Sequence, residues 1–352
     1  MKSTTTRLRL ECLESRDLLS ADWFSTYIPN AAIANLARAD WYGHGSVNYN
    51  DMLAIYAQVE KSGPVSSSEF ASLQFLGTYG SLLNTPSSVL YLENQVVGHN
   101  PADLSYQGYG LGYLGTNSPS WQMQELVGKW FLGQDHPAAP GQTYRPVSGS
   151  LFGAYGPQYT DVAQGGVGDC SLIASFAETA YKDAGVISSM FTYDGNNVWT
   201  VGFYENGASV YVTVDNQLPG GGGTYDHPQN GVLWVALAEK AYAELNAFDN
   251  QDGVAASLQG KNAYSSLNGM DPAKILPTLT DRAGYSAYNP TTINQALAQG
   301  FLIVLGTGSN SGNPNVVGDH AYAVLGYNAS THMYTMFNPW GIQQAAANHV
   351  WG

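Results

Sequence analysis

The spacing of apolar residues over residues 164–337 changes repeatedly between a helical period and a strand period. A helix is predicted after residue 170 because apolar residues recur at intervals of three and four, namely Leu172, Ile173, Phe176, Ala177 and Ala180. Residues 198–203 and 210–214 alternate in strand fashion around Asn206-Gly207, a dipeptide typical of a tight β-hairpin. A second helix is predicted at 233–245, and closing strands at 301–305, 321–327 and 332–337. The pattern predicts the α+β fold class for this part of the chain.

The composition is typical of a folded chain that does not span a membrane. Of the 352 residues, 44% are hydrophobic and 11% are charged, whereas a disordered polyelectrolyte carries far more charge. No apolar run approaches the roughly 18–20 residues of a membrane-spanning helix. Lysine and arginine number 13 against 27 aspartates and glutamates, and the net charge of −14 repels phosphate backbones. We therefore expect no transmembrane segment and no nucleic-acid partner.

Three regions are predicted along the chain. Residues 1–22 mix basic and acidic side chains without an apolar core, so they are not an ordinary signal peptide. Within them, residues 10–20 (LECLESRDLLS) resemble an LExLExRxLLS-type motif found at the start of bacterial secreted and cell-surface proteins. This motif predicts export, and a solvated tail on a cytoplasmic protein is the alternative. Residues 23–130 are predicted to be mostly helical, and residues 131–352 form the third region.

Residues 40–51 (DWYGHGSVNYND) follow the skeleton of the 12-residue calcium loop of EF-hands. Asp40 stands at position 1 and Asp51 at position 12. However, Tyr42 and His44 occupy positions 3 and 5, where oxygen ligands are usual. The favoured interpretation is a helix–turn–helix without metal, and Asp40 and Asp51 are weak candidates for metal ligands.

The cysteines point to one thiol in the folded part of the chain. Cys12 lies in the N-terminal segment, so a disulfide framework is excluded as the basis of stability. Cys170 starts a predicted helix after the glycine-rich residues 164–169 (QGGVGD). Because the positive end of a helix dipole lowers a thiol pKa, Cys170 is the candidate nucleophile, although an inert buried cysteine is the common alternative. The Gln164 amide and the Cys170 N–H would together form an oxyanion hole.

A cysteine nucleophile needs a base, and the base needs a group that orients it. His320 lies 150 residues after Cys170 and opens a predicted strand, and Asn338 ends the next strand. A turn at residues 328–331 would bring the two together, so that the Asn338 carbonyl accepts the imidazole N–H and Trp340 screens that bond from water. The order of cysteine, histidine and asparagine is that of papain-like proteases.

The motifs around these residues resemble those of the calpain family of cysteine proteases. Residues 164–170 (QGGVGDC) resemble the family's nucleophile motif, residues 318–324 (GDHAYAV) its histidine motif and residues 338–341 (NPWG) its asparagine motif. The family pattern also fits residues 214–219 and 233–246. The resemblance implies a two-lobed papain-like fold, with Cys170 on a helical lobe and His320 and Asn338 on a β-rich lobe. It also implies an endopeptidase that acts on protein or peptide substrates.

The resemblance implies a calcium ligand in the first lobe but not in the second. Asp161 fits an acidic position that helps to bind calcium in the first lobe of family members. In the second lobe, Ile342-Gln343-Gln344 stand where carboxylates are usual. Neutral amides bind calcium far more weakly than carboxylates do. We therefore expect that no cofactor is required and that calcium acts at most at millimolar concentration.

Two other functions stay open from the sequence. Ser171 follows the nucleophile where the family usually has tryptophan, which favours an inactive protease-like domain that serves as a surface binding module. A transglutaminase-type acyl transferase shares the order of cysteine, histidine and acceptor, but Asn338 in place of aspartate argues against it. The first prediction is a cysteine endopeptidase formed by residues 131–352 with a helical extension before it.

Overall fold

The computed structural model describes residues 20–220, 225–226, 228, 231–249 and 259–347. Cys12 and the predicted export motif, apart from Ser20, lie outside these residues. Contacts divide the chain into two compact units, residues 1–131 and residues 132–352. Within the described ranges, no helix combines the length and the apolar character needed to cross a bilayer.

The first unit is built mainly from helices. They are α1 (Ala21–Tyr27), α2 (Ala31–His44), α3 (Tyr49–Ser62), α4 (Ser67–Tyr79), α5 (Ser87–Val97) and α6 (Ser120–Trp130), and a small hairpin joins β1 (Ser105–Tyr106) to β2 (Tyr109–Gly110). The side chain of Asn30 caps α2, and Ser66 and Glu69 form a capping box at the start of α4. The core is made by buried apolar side chains at helical spacing, such as Met52, Ile55, Tyr56 and Val59 on α3.

The second unit begins with a helical lobe. Its helices are α7 (Cys170–Lys182), α8 (Ala184–Met190), α9 (Trp234–Asp249) and α10 (Pro272–Thr280). Its strands are β3 (Tyr144–Pro146) paired with β7 (Gln217–Pro219), and an antiparallel sheet of β4 (Phe191–Gly195), β5 (Val198–Glu205) and β6 (Ala208–Asp215). The hairpin between β5 and β6 turns at Asn206 and Gly207, whose φ angles of 49° and 82° are those a type I′ turn requires. Residues 171–180 of α7 are all buried, so this helix forms the core of the lobe.

The rest of the second unit is a β-rich lobe. It contains α11 (Pro290–Ala298), β8 (Val304–Gly306), β9 (Ala321–Asn328), β10 (Met333–Phe337) and α12 (Ile342–Ala347), and its three strands form an antiparallel sheet in the order β10–β9–β8. His320 immediately precedes β9 and Asn338 immediately follows β10. Because β9 and β10 are antiparallel neighbours, both residues lie at the same end of the sheet.

The α+β fold class predicted from the sequence is confirmed, with one strand different from the expectation. The strand expected at 301–305 is confined to Val304–Gly306. The N–H of Ile303 donates to the carboxylate of Glu178 on α7, at 3.0 Å, and not to a neighbouring strand. The helix α7 also packs against β8 and β9, which brings its first turn to the sheet end that carries His320.

Candidate active site

Cys170 is the first residue of α7 and is partly buried. Burial raises the pKa of its thiol, and a hydrogen bond from the Ala321 N–H opposes that rise. The charge of the preceding Asp169 raises the pKa further, and hydrogen bonds with Ser171 lower it. The net shift is upward, so the expectation that the helix dipole would lower the pKa is wrong. Burial is the largest cause of the rise because it removes water from the thiolate.

His320 forms a hydrogen bond with Asn338, with 2.9 Å between the imidazole Nε2 and the amide Oδ1. Both side chains are buried. With Nε2–H donating to Asn338, the proton-accepting nitrogen of the neutral ring is Nδ1. Burial lowers the pKa of His320, and the bond to Asn338 opposes that shift in part. The centre of the Trp340 ring lies 5.0 Å from the centre of the imidazole ring. The backbone N–H of Trp340 also donates to Asn338 Oδ1.

Two backbone contacts join the helical lobe to the β-rich lobe at this point. The Ala321 N–H, next to His320, forms a hydrogen bond with Cys170. The Gln164 N–H donates to the carbonyl of Pro339, next to Asn338, at 2.8 Å. The segments that carry the predicted nucleophile, base and orienting group are therefore in direct contact.

The side chain of Gln164 is buried and already has partners for its N–H groups. Its Nε2 donates to the carbonyl of Val167 at 2.8 Å and to Asp169 Oδ1 at 3.0 Å. The structure does not aim this amide at a vacant position beside Cys170, because both N–H bonds stay within the glycine-rich loop. One of these hydrogen bonds has to open before Gln164 can donate to a substrate oxygen.

The glycine-rich loop is held by Asn268, a residue that the sequence did not single out. The Gly168 N–H donates to Asn268 Oδ1 at 2.7 Å, and the Gly269 N–H donates back to the Gly168 carbonyl at 3.0 Å. A Cβ on Gly168 would lie 2.8 Å from Asn268 Oδ1, which is closer than real Cβ contacts. An alanine at 168 would therefore push the exposed Asn268 side chain out of this hydrogen bond.

Three buried carboxyl groups lie beside the loop, and the sequence reasoning missed them as well. Asp226 Oδ1 accepts from the Ala163 N–H at 3.0 Å, and the Asp226 N–H donates to Glu239 Oε2 at 2.9 Å. Glu239 shares a hydrogen bond with Asp169. Burial raises the pKa of all three carboxyl groups, and the hydrogen bond between the Glu239 and Asp169 side chains needs a proton on one of the two. No local sequence pattern marks them, because their burial comes from the fold, which encloses residues 232–246 on all sides, polar residues included.

Two of the positions considered for calcium lie in the second unit, namely Asp161 and residues 342–344. Asp161 is buried, and its Oδ2 accepts from Trp234 Nε1 and from the Gln158 N–H, both at 2.8 Å. This carboxylate thus closes a tight turn within the helical lobe. In the β-rich lobe, residues 342–344 open α12 with apolar and amide side chains. The described part of the β-rich lobe therefore provides no carboxylate at this position for a calcium ion.

Asp40 and Asp51 lie in the first unit, on α2 and at the start of α3. The helix α2 continues through His44, so the first five positions of the expected calcium loop are helical. The backbone of this segment is the predicted helix–turn–helix, and it brings Asp40 and Asp51 together beside His44.

Comparison with known proteins places residues 145–351 in the family described as calpain family cysteine protease. Calpain clp-1 of Caenorhabditis elegans is 29% identical over 213 residues, which cover 52% of this chain and 25% of that protein. Human calpain-8 is 28% identical over 207 residues, covering 53% of this chain and 28% of calpain-8. The calpain-2 catalytic subunit of Gallus gallus is 36% identical over 103 residues, covering 27% of this chain and 15% of that subunit. The matched region thus spans about a quarter of the length of the first two relatives.

Proposed function

The chain belongs to the calpain family of cysteine proteases, and we propose that it is an endopeptidase that hydrolyses peptide bonds in protein substrates. The observation that carries the proposal is the 2.9 Å hydrogen bond between His320 and Asn338, beside a thiol at a helix start. An imidazole held by an amide carbonyl has a fixed tautomer, which is what a general base for a thiol requires.

In the proposed reaction, His320 Nδ1 takes the proton of the Cys170 thiol as the sulfur attacks the carbonyl carbon of the scissile bond. The carbonyl oxygen becomes an oxyanion, and the Cys170 N–H at the start of α7 donates to it. The imidazolium returns its proton to the leaving amine, and an acyl-enzyme thioester remains. Water then attacks this thioester with His320 as the base, which releases the carboxylic acid and restores the thiol.

Asn338 and Trp340 support the base in this proposal without touching the substrate. Asn338 keeps Nε2–H occupied through both half-reactions, so Nδ1 remains the nitrogen that accepts and returns the proton. The Trp340 ring, 5.0 Å from the imidazole ring, keeps water from competing for that hydrogen bond.

Gln164 is the proposed second donor to the oxyanion. A developing negative charge on the substrate oxygen is a stronger acceptor than the neutral Val167 carbonyl, so substrate binding would draw one N–H away from the loop. Asp169 would keep the other N–H and thereby limit how far the amide rotates.

We propose that the activity does not require calcium. Support comes from the hydrogen bonds of the Asp161 carboxylate and from the side chains at 342–344, as described above. The experiment is hydrolysis of a fluorescent casein in excess chelator and across a calcium titration. Equal rates in chelator and in calcium, or a rise only at millimolar calcium, are expected. Sharp activation at micromolar calcium with no activity in chelator would contradict the proposal.

For location, we propose export, on the motif at residues 10–20. Fractionation of cells that express the full chain and a chain without residues 1–22 tests it. Loss of the extracellular or surface-bound fraction in the shortened chain is expected. Equal retention of both chains inside the cell would contradict it.

An inactive binding module is the second candidate function, favoured by Ser171. This residue is buried, and its carbonyl accepts from the Ser175 hydroxyl at 2.7 Å, within α7. Serine leaves a much smaller side chain beside the thiol than the tryptophan usual in the family.

The deciding experiment is a casein and peptide-library digest with the wild type beside Cys170→Ala. Removing the nucleophile of a cooperating set commonly costs about 10⁴–10⁶ in rate. Cys12→Ala is the matched control because it removes the other cysteine of the chain. Cleavage by the wild type and Cys12→Ala, but not by Cys170→Ala, is expected. Absence of cleavage by all three chains would favour the binding module, and amine incorporation in place of hydrolysis would favour an acyl transferase.

A further inference from the structure

A cluster of ligand-type side chains lies at the junction of α2 and α3 in the first unit. One potential ligand atom from each of Asp40, His44 and Asp51 lies within 4.8 Å of the others. Among the residues that the structure describes, no second group of three or more histidine, cysteine, aspartate or glutamate side chains has ligand atoms this close together. The cluster belongs to the helical region, which the proposed proteolysis does not use.

The three side chains are carried by two successive helices, and the helix backbone sets their positions. Asp40 and His44 lie one turn apart in the last part of α2, so their side chains share one face of the helix. Gly45 ends α2 in the left-handed conformation, with φ of 83°, and the chain reverses into α3. Asp51 is the third residue of α3, and its Oδ2 accepts from the Asn48 N–H at 2.7 Å. The third carboxylate is therefore oriented by the helix start.

The charges of the cluster favour a bound cation. Two carboxylates this close repel each other, and a positive charge near both relieves the repulsion. A protonated His44 would supply one positive charge, and its Nε2 lies 3.4 Å from Asp51 Oδ2. A divalent cation would balance both carboxylates and would use the neutral imidazole as a ligand.

The donor set and the spacing select the kind of cation. Calcium takes six to eight oxygen ligands from an extended loop, whereas this segment is helical through His44 and offers an imidazole nitrogen. Zinc prefers imidazole and carboxylate ligands at about 2.0–2.2 Å, which puts neighbouring ligand atoms of a tetrahedral site about 3.3–3.6 Å apart. The 3.4 Å between His44 Nε2 and Asp51 Oδ2 already has this spacing.

We infer that Asp40, His44 and Asp51 form a binding site for a divalent transition-metal ion of the zinc type, with water completing the coordination. The side chain of His44 is 45% exposed and that of Asp51 is 13% exposed, so the ion can enter from solvent and keep a water ligand. The ion would join the end of α2 to the start of α3, which closes the turn between two helices of the first unit.

The test is a zinc titration of the full chain against a chromophoric chelator, in a Cys170→Ala background. This background prevents the thiol beside His320 from holding zinc and leaves the first unit unchanged. We expect one site per chain that is lost or weakened in Asp40→Asn, His44→Asn and Asp51→Asn. Loss of a direct ligand should weaken binding by at least about 10-fold, because even outer-shell changes cost about 10–100-fold.

His99→Asn is the matched control, because it removes a histidine of the same unit that lies outside the cluster. It should bind zinc like the background chain. Each variant is also melted with and without zinc, since an ion that binds only the folded state raises the melting temperature. Zinc should raise that temperature for the background and for His99→Asn, and not for the three cluster variants. The inference is overturned if zinc does not bind, if the cluster variants bind it as tightly as the background does, or if calcium binds with similar affinity.

Discussion

The hydrogen bond between His320 and Asn338 gives the sharpest test of the proposed base. Asn338 Oδ1 accepts from His320 Nε2 at 2.9 Å and from the Trp340 N–H at 3.1 Å. The side chains of His320 and Asn338 are 7% and 3% exposed, so water cannot easily replace the lost acceptor. A buried donor left without a partner costs about 1–3 kcal/mol, and with a smaller cost at Trp340 we expect Asn338→Ala to lower the free energy of unfolding by about 2–4 kcal/mol.

In Asn338→Ala, we expect kcat/KM to fall by more than the loss of unfolding free energy alone would cause. Without an acceptor for Nε2–H, the imidazole can rotate or adopt the other tautomer, which removes the Nδ1 lone pair that would take the thiol proton in the proposed reaction. Loss of the tautomer-holding group costs about 10⁴ in the Ser-His-Asp triad, so we expect kcat/KM of Asn338→Ala to fall about 10²–10⁴-fold. Denaturant unfolding and hydrolysis of a fluorogenic peptide measure the two effects on the same samples.

Asn338→Asp is the matched variant because it keeps an acceptor oxygen for both donors. Its negative charge favours the protonated imidazole, so the pKa of His320 should rise and the acid limb of kcat/KM should move to higher pH. The stability loss of Asn338→Ala should be partly restored. An Asn338→Ala variant as active as the wild type, or an Asn338→Asp variant with an unshifted acid limb, would refute His320 as the base.

Three further outcomes follow from the site. Gln164→Ala should lower kcat about 10²–10³-fold, as for loss of one oxyanion donor, whereas Gln343→Ala at an exposed position of α12 should not, and steady-state kinetics separates them. Gly168→Ala places a Cβ 2.8 Å from Asn268 Oδ1 and displaces this exposed side chain from its hydrogen bond, so it should destabilise the protein by about 0.5–1.5 kcal/mol in denaturant unfolding, and Asn268→Ala alone should cost about as much. Burial lowers the pKa of His320 in the folded protein, so as the pH falls the unfolded chain binds this proton before the folded chain does. The histidine therefore lowers the stability of the fold below about pH 6.5. Melting curves across this pH range should show that His320→Gln removes this loss.

Much of the fold is visible in the sequence because it depends on local chemistry. Asn206-Gly207 supplies the two positive φ angles of a type I′ turn, so the hairpin could be predicted from a dipeptide. His320 and Asn338 stand at the ends of two strands joined by a short turn, and strand pairing then brings them together without further information. Predicting these features requires only residues that are close in the sequence or that belong to one hairpin.

The features that the sequence did not reveal depend on burial and on distant partners. Asp226 and Glu239 carry raised pKa values because the fold encloses them, and no local pattern states which carboxyl groups will be enclosed. Asn268 meets Gly168 across 100 residues of chain, which no spacing rule encodes. The rise in the Cys170 pKa has the same origin, since the helix start is local but the burial of the thiol is not.

The directions of the two central pKa shifts decide how the proposed reaction starts. Burial raises the pKa of Cys170 and lowers that of His320, so both shifts favour the thiol and the neutral imidazole over their charged forms. A thiol is a weak nucleophile, and the proton must therefore pass to His320 as the sulfur attacks. Negative charge then develops on the substrate oxygen while positive charge develops on the imidazole. In the proposed reaction, Asn338 Oδ1 would stabilise the imidazolium through Nε2–H, and the Cys170 N–H at the start of α7 would stabilise the oxyanion, so these groups would act mainly on charges that develop during the reaction.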